Sequence, residues 1–273
     1  MSLGFILRPY SLAAATLSAG AINGIAGAFP VSSLADPQPK VVVRSNAAGA
    51  APHQLSVTVD FGADVTIDTV AAMFCNVGSG STWTVYATPA AVGAPSDTAP
   101  YQLVGTGFGQ APAVPGRLRH ALWAGVAVSA RWLRVYITQP NLTPAFISLG
   151  QLLVGARWEP ATLFGNFELG AARSIDDRSV KRSLPGGETH AERGARVPGF
   201  SAVWSNISHA EMRVLWAILA DLGESAPLLI VEDPTATAGQ NEAMHYGMIE
   251  RIETIERTQA DKNRLELSIR EML

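Results

Sequence analysis

Residues 53–62, HQLSVTVDFG, alternate without a break: Leu55, Val57 and Val59 fall on one side of an extended chain, and Ser56, Thr58 and Asp60 fall on the other. A period of two marks a strand with one face buried and one face wet. Related runs follow along the chain: KVVVRS (40–45) before it, then VTIDTVAAMFC (65–75), TWTVYAT (82–88), RWLRVYIT (131–138) and SLGQLLVG (148–155). NVGSGS, VGAPSDTAP, GQAPAVPG and TQPNLTP separate them, rich in residues that start or tolerate tight turns. Short strands, Gly/Pro turns and no helical period predict a β-sandwich or jelly roll over residues 40–156.

Near residue 156 the charge density rises, which marks a domain boundary. SVKRSLPGGETHAERG reads as two strands around a Pro-Gly-Gly turn. The only well-capped helix signal follows, in NISHAEMRVLWAILADLG. Ser208 and Glu211 have capping-box spacing, and Ile207 and Met212 have that of a hydrophobic staple. Met212, Leu215, Trp216, Leu219 and Leu222 recur at helical spacing as one apolar stripe, and Gly223 ends a helix over residues 209–222. APLLIVEDP (226–234) reads as a buried strand stopped by Asp233 and Pro234. The last stretch is ambiguous. Ile249, Ile252 and Ile255 are three apart, as in a helix, whereas NRLELSIREML alternates. A long β-hairpin with a bulge is the preferred expectation.

Two resemblances follow from these residues. LSVTVDFGADVTIDTVAAMFCNVGSGSTWTVYA with ARWLRVYI and ISLGQLLVG resembles the galactose-binding-like (discoidin-type) jelly roll over residues 40–156. That implies a binding or spacing module, with a host-surface glycan as the expected partner and no ligand-binding residue carried over. PGFSAVWSNISHAEMRVLWAILADLGESAPLLIVEDP with MHYGMIERIETIERTQADKNRLELSIREML resembles the tail-tube and distal-tail proteins of tailed bacteriophages over residues 157–273. That implies a tail-tube-like β-barrel or sandwich flanked by one helix, in a ring-forming homo-oligomer of a tail tip or baseplate. It also implies partners among tube, hub and tape-measure proteins, and a place in the virion tail assembled in the host cytoplasm. In that picture the helix covers one face of a sheet whose other face and edges meet neighbours. A secreted or surface carbohydrate-binding module protein is the alternative.

Composition bears on both. Only 16% of the 273 residues are charged, against about 25% typically, which suits hidden surface or a large β core. The net charge of −3 argues against a nucleic-acid binder. No run of about 20 apolar residues exists to span a membrane. Residues 1–39 carry small residues and a weak apolar stretch. Pro9, Tyr10 and Ser11 interrupt it and Arg8 is its only early base, so an extended Ala/Gly-rich arm is expected over a cleaved signal.

No catalytic constellation is legible, so no catalytic, cofactor or metal residue is assigned and the chain is expected not to be an enzyme. Cys75, the single cysteine, sits in an apolar run and reads as a small buried hydrophobe. His53, His120, His190, His209 and His245 are scattered without zinc spacing. The adjacent pairs Asp176/Asp177 and Glu232/Asp233 point to opposite faces of a strand. GTGFG (105–109) and LPGGE read as turns rather than phosphate loops, and Asn141 and Asn206 head chance glycosylation tripeptides. The aromatics Trp83, Tyr86, Trp123, Trp132 and Tyr136 would stack on sugar rings if they lay on loops, and pack in the core if they lie on strands.

Overall fold

Two very long antiparallel strands organise the first half of the molecule. A computed structural model describes residues 4–19, 24–46, 52–78, 80–95, 102–109, 118–140, 145–161, 171–183, 189–236, 239–252, 255–259 and 261–272. In chain order the strands are β1 (Phe5–Leu7), β2 (Thr16–Ala19), β3 (Val43–Arg44), β4 (His53–Cys75), β5 (Thr82–Thr88), β6 (Gln102–Gly107), β7 (Arg119–Gln139), β8 (Ser148–Leu149) and β9 (Gln151–Gly155). Then come β10 (Arg157–Trp158), β11 (Ala172–Asp177), β12 (Val180–Ser183), β13 (Thr189–Glu192), β14 (Arg196–Ser208), the helix α1 (His209–Leu222), β15 (Pro227–Val231), β16 (Met244–Ile252), β17 (Glu256–Arg257) and β18 (Lys262–Glu271). The fold is mainly β, in several antiparallel sheets.

The runs 53–62 and 65–75, expected as separate strands, are one strand, β4. Its register against β7 slips between Asp60 and Val65. Gly62 sits at that slip with φ +79, where a side chain would be strained, and its N–H donates to Asp60 Oδ1 at 2.8 Å. Before the slip β4 is flanked by β2, and after it by β9; β5 and β6 extend the sheet beyond β7. Leu55, Val57 and Val59 from the first half and Val70 and Ala72 from the second enter one sandwich core with Trp83, Val85, Leu133, Val135 and Ile137. β7 begins at Arg119, twelve residues before the expected run at Arg131, because the second half of β4 supplies it with a partner.

The second sheet runs β10-β1-β15-β16-β18-β14-β11. Residues 1–39, expected as an extended arm, contribute β1 inside this sheet, β2 on the sandwich and two short 3-10 turns, Leu12–Ala14 and Val31–Ala35. FIL, only three residues long, carries too little pattern to announce a strand; its partners lie more than 140 residues away in sequence. The terminal hairpin is present. β16 pairs with β18, and a register shift between Ile249 and Arg251 absorbs the helix-like spacing. Leu265, Leu267 and Ile269 all face the core.

Alternation shows how the layers stack. From β1 and β15, Ile6, Leu228 and Ile230 point toward α1 and join Met212, Leu215, Leu219 and Leu222. Phe5, Leu7, Leu229 and Val231 point the other way, against Ala71, Met73 and Leu153 of the sandwich. Strands buried on both faces read as unbroken apolar runs, as PLLIV does. The helix therefore covers one face of the sheet, and the chain's own sandwich covers the other. This corrects the expectation that the second face meets neighbouring molecules.

Helix α1 begins as its sequence dictates. Ser208 Oγ accepts the Glu211 N–H at 3.3 Å, and Glu211 Oε2 accepts the Ser208 N–H at 2.9 Å. Gly223, with φ +56, ends it. Trp216 does not belong to the buried stripe: it is 50% exposed. It lies beside the line through Met212, Leu215, Leu219 and Leu222, which saturates the contact with the sheet.

β11 is an edge strand, and it leads into a two-stranded ribbon. β11 pairs with the start of β14, and β12 pairs with β13. Ala172–Asp177 and Val180–Ser183 are exposed throughout. The LPGGE tip, expected as a turn, lies outside the described residues, as does Asn141.

Candidate functional site

Where the end of β4 and the start of β7 meet the second sheet, the chain leaves a groove of about 370 Å³. Phe74, Leu118 and His120 line it from the sandwich, and Arg173, Ser174, Ile175, Pro198, Gly199, Met244, His245, Glu271 and Met272 from the sheet. Asn241 and Glu242 close one side. Clefts between packed units of this size are where proteins most often bind small ligands.

Its sandwich wall is strained and held. Phe74 adopts φ +57 at a bulge where the register slips between Ala72 and Cys75. A non-glycine residue there costs about 1–3 kcal/mol and persists only when neighbours enforce it. The Phe74 N–H donates to His120 Nδ1 at 3.0 Å, which leaves the neutral ring's proton on Nε2. The Phe74 ring meets the His120 ring edge-on at 4.9 Å and the Tyr246 ring at 6.2 Å. Asn241 ties the closing turn to β7: its Oδ1 accepts the His120 N–H at 2.7 Å and its Nδ2 donates to the Leu118 carbonyl at 3.2 Å.

The opposite wall is ionic. His245 is buried, with Nδ1 2.7 Å from Glu271 Oε1 and Nε2 2.6 Å from Glu232 Oε1. Both ring nitrogens face carboxylates, so both donate and the ring is an imidazolium. Burial alone would lower its pKa, but the hydrogen bonds to Glu232 and Glu271 outweigh burial and raise it above the ordinary value. Burial likewise pushes Glu232 up, and the bonds from His245 and Arg173 overcome it and hold the carboxyl below its usual range. Arg173 donates to Glu232 Oε1 through Nε at 3.0 Å and Nη2 at 2.7 Å. The His245 ring stacks on Phe200 at 4.2 Å, only 10° from parallel. The network ties β11, β14, β16, β18 and the end of β15 together.

Chemically, the groove offers carboxylate acceptors, guanidinium and amide groups, and an apolar lining of Phe74, Pro198, Met244 and Met272. Both His245 nitrogens are committed, and Glu232 already accepts three donors. Neither is free to act as a base. Among the described residues, no group of three or more His, Cys, Asp or Glu is arranged to hold a metal ion. None of the described helices is long and apolar enough to cross a membrane.

The residues singled out in the sequence lie mostly elsewhere. Trp83 is 2% exposed and packs edge-on against Phe108 in the sandwich core. Trp123, Trp132 and Tyr136 stand on β7 and Tyr86 on β5, all half-buried on strands rather than loops. Cys75 is buried, and burial pushes its thiol up to about 12. Asp176 and Asp177 lie on exposed β11, paired with Arg178 and Arg196. GTGFG, expected as a turn, instead contributes the end of β6 and Phe108 to the sandwich, because β5 pairs with it through Gly107. Of the scattered histidines only His120 and His245 come together, and Arg173, Asn241 and Glu271 are groove residues that no local motif announces.

Neither a family model nor a curated protein matches the chain. Among solved structures, it is similar to chitosan-binding module 1 of a chitosanase/glucanase from Paenibacillus sp. IK-5, at 21% identity and TM-score 0.37, covering 54% of this chain and 99% of that one. CBM32-3 of a family 31 glycoside hydrolase from Clostridium perfringens is similar at 10% identity and TM-score 0.38, covering 54% and 94%. A family 32 carbohydrate-binding module of NanJ from C. perfringens, in complex with galactose, is similar at 17% identity and TM-score 0.35, covering 56% and 98%.

Proposed function

We propose that this chain is a non-catalytic glycan-binding protein whose ligand lies in the groove between the sandwich and the second sheet. The observation that supports it is the lining of that groove. Asn241, Arg173, Glu271 and Glu242 surround an apolar floor, which is the combination a polyhydroxylated ring needs. Carboxylates accept hydroxyl protons, amide and guanidinium groups donate to hydroxyl oxygens, and the C–H faces of the sugar cover Phe74, Met244 and Met272. The groups are preorganised, since His120 and Asn241 hold each other and His245 fixes Glu271.

A glycan array tests this, with Arg173→Ala as the control. Arg173 is half exposed at the rim, and a thermal melt of the variant checks that the fold is retained. The wild type is expected to retain a defined set of glycans and the variant to lose them. Silence of the wild type across the array, or retention undiminished in the variant, contradicts the proposal.

A second reading is favoured by the ribbon. A two-stranded hairpin in water is marginally stable by itself, and an exposed edge strand is a template for another chain. β11 to β13 present both. This favours self-association with the ribbon completing the next copy's sheet, and the expected ring-forming component of a bacteriophage tail tip is one form such an assembly would take. Size-exclusion chromatography with light scattering tests it. Under this reading the intact chain forms a closed ring, and a chain with β12 and β13 replaced by a short turn does not. A ring that survives the replacement, or an intact chain that never rings with tail-tube protein present, contradicts it.

A further inference from the structure

Helix α1 is apolar on both sides. Met212, Leu215, Leu219 and Leu222 seat it on the sheet. The opposite side carries Ala210, Val214 and Ala217, with Trp216 and Ala220 on one flank and Ile218, partly packed against the core, on the other. Val214 is 54% exposed and Trp216 50%. A surface helix normally turns a charged face to water, and one that is apolar all round is normally covered all round. Beyond Glu211, which is spent on the cap, the helix has only two charges, Arg213 and Asp221. They stand four residues either side of Ala217, on the outer face.

That spacing is self-complementary. Two helices laid antiparallel and crossing at Ala217 bring Arg213 of each copy opposite Asp221 of the partner subunit. Alanine at the crossing point lets the two backbones approach closely. A shallow groove of about 560 Å³ along Arg8, Ala210, Arg213, Val214, Ala217 and Ile218 offers the second helix a seat. Within one chain Asp221 already pairs with Arg8, so the contact extends this pair to a third member. We propose that the outer face of α1 is a two-fold interface with a second copy of this chain. The contact is isologous, so it closes at two subunits. It lies on the helix side of the sheet, away from the groove, so a dimer presents two ligand sites and gains avidity on a surface with repeated ligands.

Sedimentation equilibrium of the full chain across a concentration series tests the interface. The expected result is a monomer–dimer equilibrium ending at twice the 28.8 kDa chain mass. Arg213→Glu sets like charges against each other, and Ala217→Glu wedges the crossing point. Each is expected to weaken dimerisation about tenfold or more, a loss of about 1.4 kcal/mol. Thermal melts by circular dichroism verify that these exposed substitutions leave the fold intact. In an Arg8→Ala background, where no third charge interferes, the swap Arg213→Glu with Asp221→Arg restores the dimer. A monomer at every concentration overturns the proposal. So does a dimer or larger oligomer indifferent to both single variants.

Discussion

At the scale of single residues, placement decides what each side chain is worth. Trp204 and Trp216 stand on either side of the Ser208 cap, one wholly buried in the sheet–helix core and the other half exposed. Trp204→Ala is expected to cost about 3–5 kcal/mol. Trp216→Ala is expected to change monomer stability by less than about 0.5 kcal/mol. Urea denaturation at a concentration where the chain is monomeric separates the two. Ser208→Ala removes one capping hydrogen bond and is expected to cost about 1 kcal/mol in the same assay. His245 yields a pH prediction. Its raised pKa means that its stabilisation is complete below the ordinary imidazole value and is lost as pH rises through the raised one. Glu232 is depressed, so its contribution is present above the ordinary carboxylate range and is lost as pH falls through the lowered value. The stability advantage of wild type over His245→Gln is therefore expected to be greatest between those two limits and to shrink on the alkaline side. A flat difference across the whole range would show that the two carboxylates do not hold the ring charged.

At the scale of elements, local and distant information part company. The capping box of α1, the alternation of β4 and β18, and the bulged terminal hairpin were all legible, because each depends on residues within a few positions of one another. β1 was not legible, since three residues become a strand only between β10 and β15. The side of α1 that would be buried was only partly legible, because a stripe of five apolar positions does not say how many the sheet can accept. The groove was least legible: Phe74, His120, Arg173, Asn241, His245 and Glu271 are brought together by packing between two sheets, and no spacing in the chain predicts it. Close approach at one element is sharply testable. A side chain on Gly247 would run into the Arg270 carbonyl, where β16 lies against β18. Gly247→Ala is therefore expected to push the hairpin strands apart and lower the melting temperature, although alanine is the milder residue in most strands.

At the scale of the whole molecule, four layers share two apolar seams beyond the sandwich core. One lies between helix and sheet, the other between sheet and sandwich. Ala71, Met73 and Leu153 of the sandwich face Phe5, Leu7, Leu229 and Val231, so the two halves bury each other's surface and build the groove at their junction. The proposed glycan sits at this junction. The most direct measurement is a backbone NMR titration of the full chain with a glycan retained on the array. The expected result is saturable shifts in the amides of Phe74, His120, Arg173, Asn241 and Glu271, absent in Arg173→Ala. Shifts confined to the sandwich residues far from the second sheet, with these five amides unmoved, would contradict it.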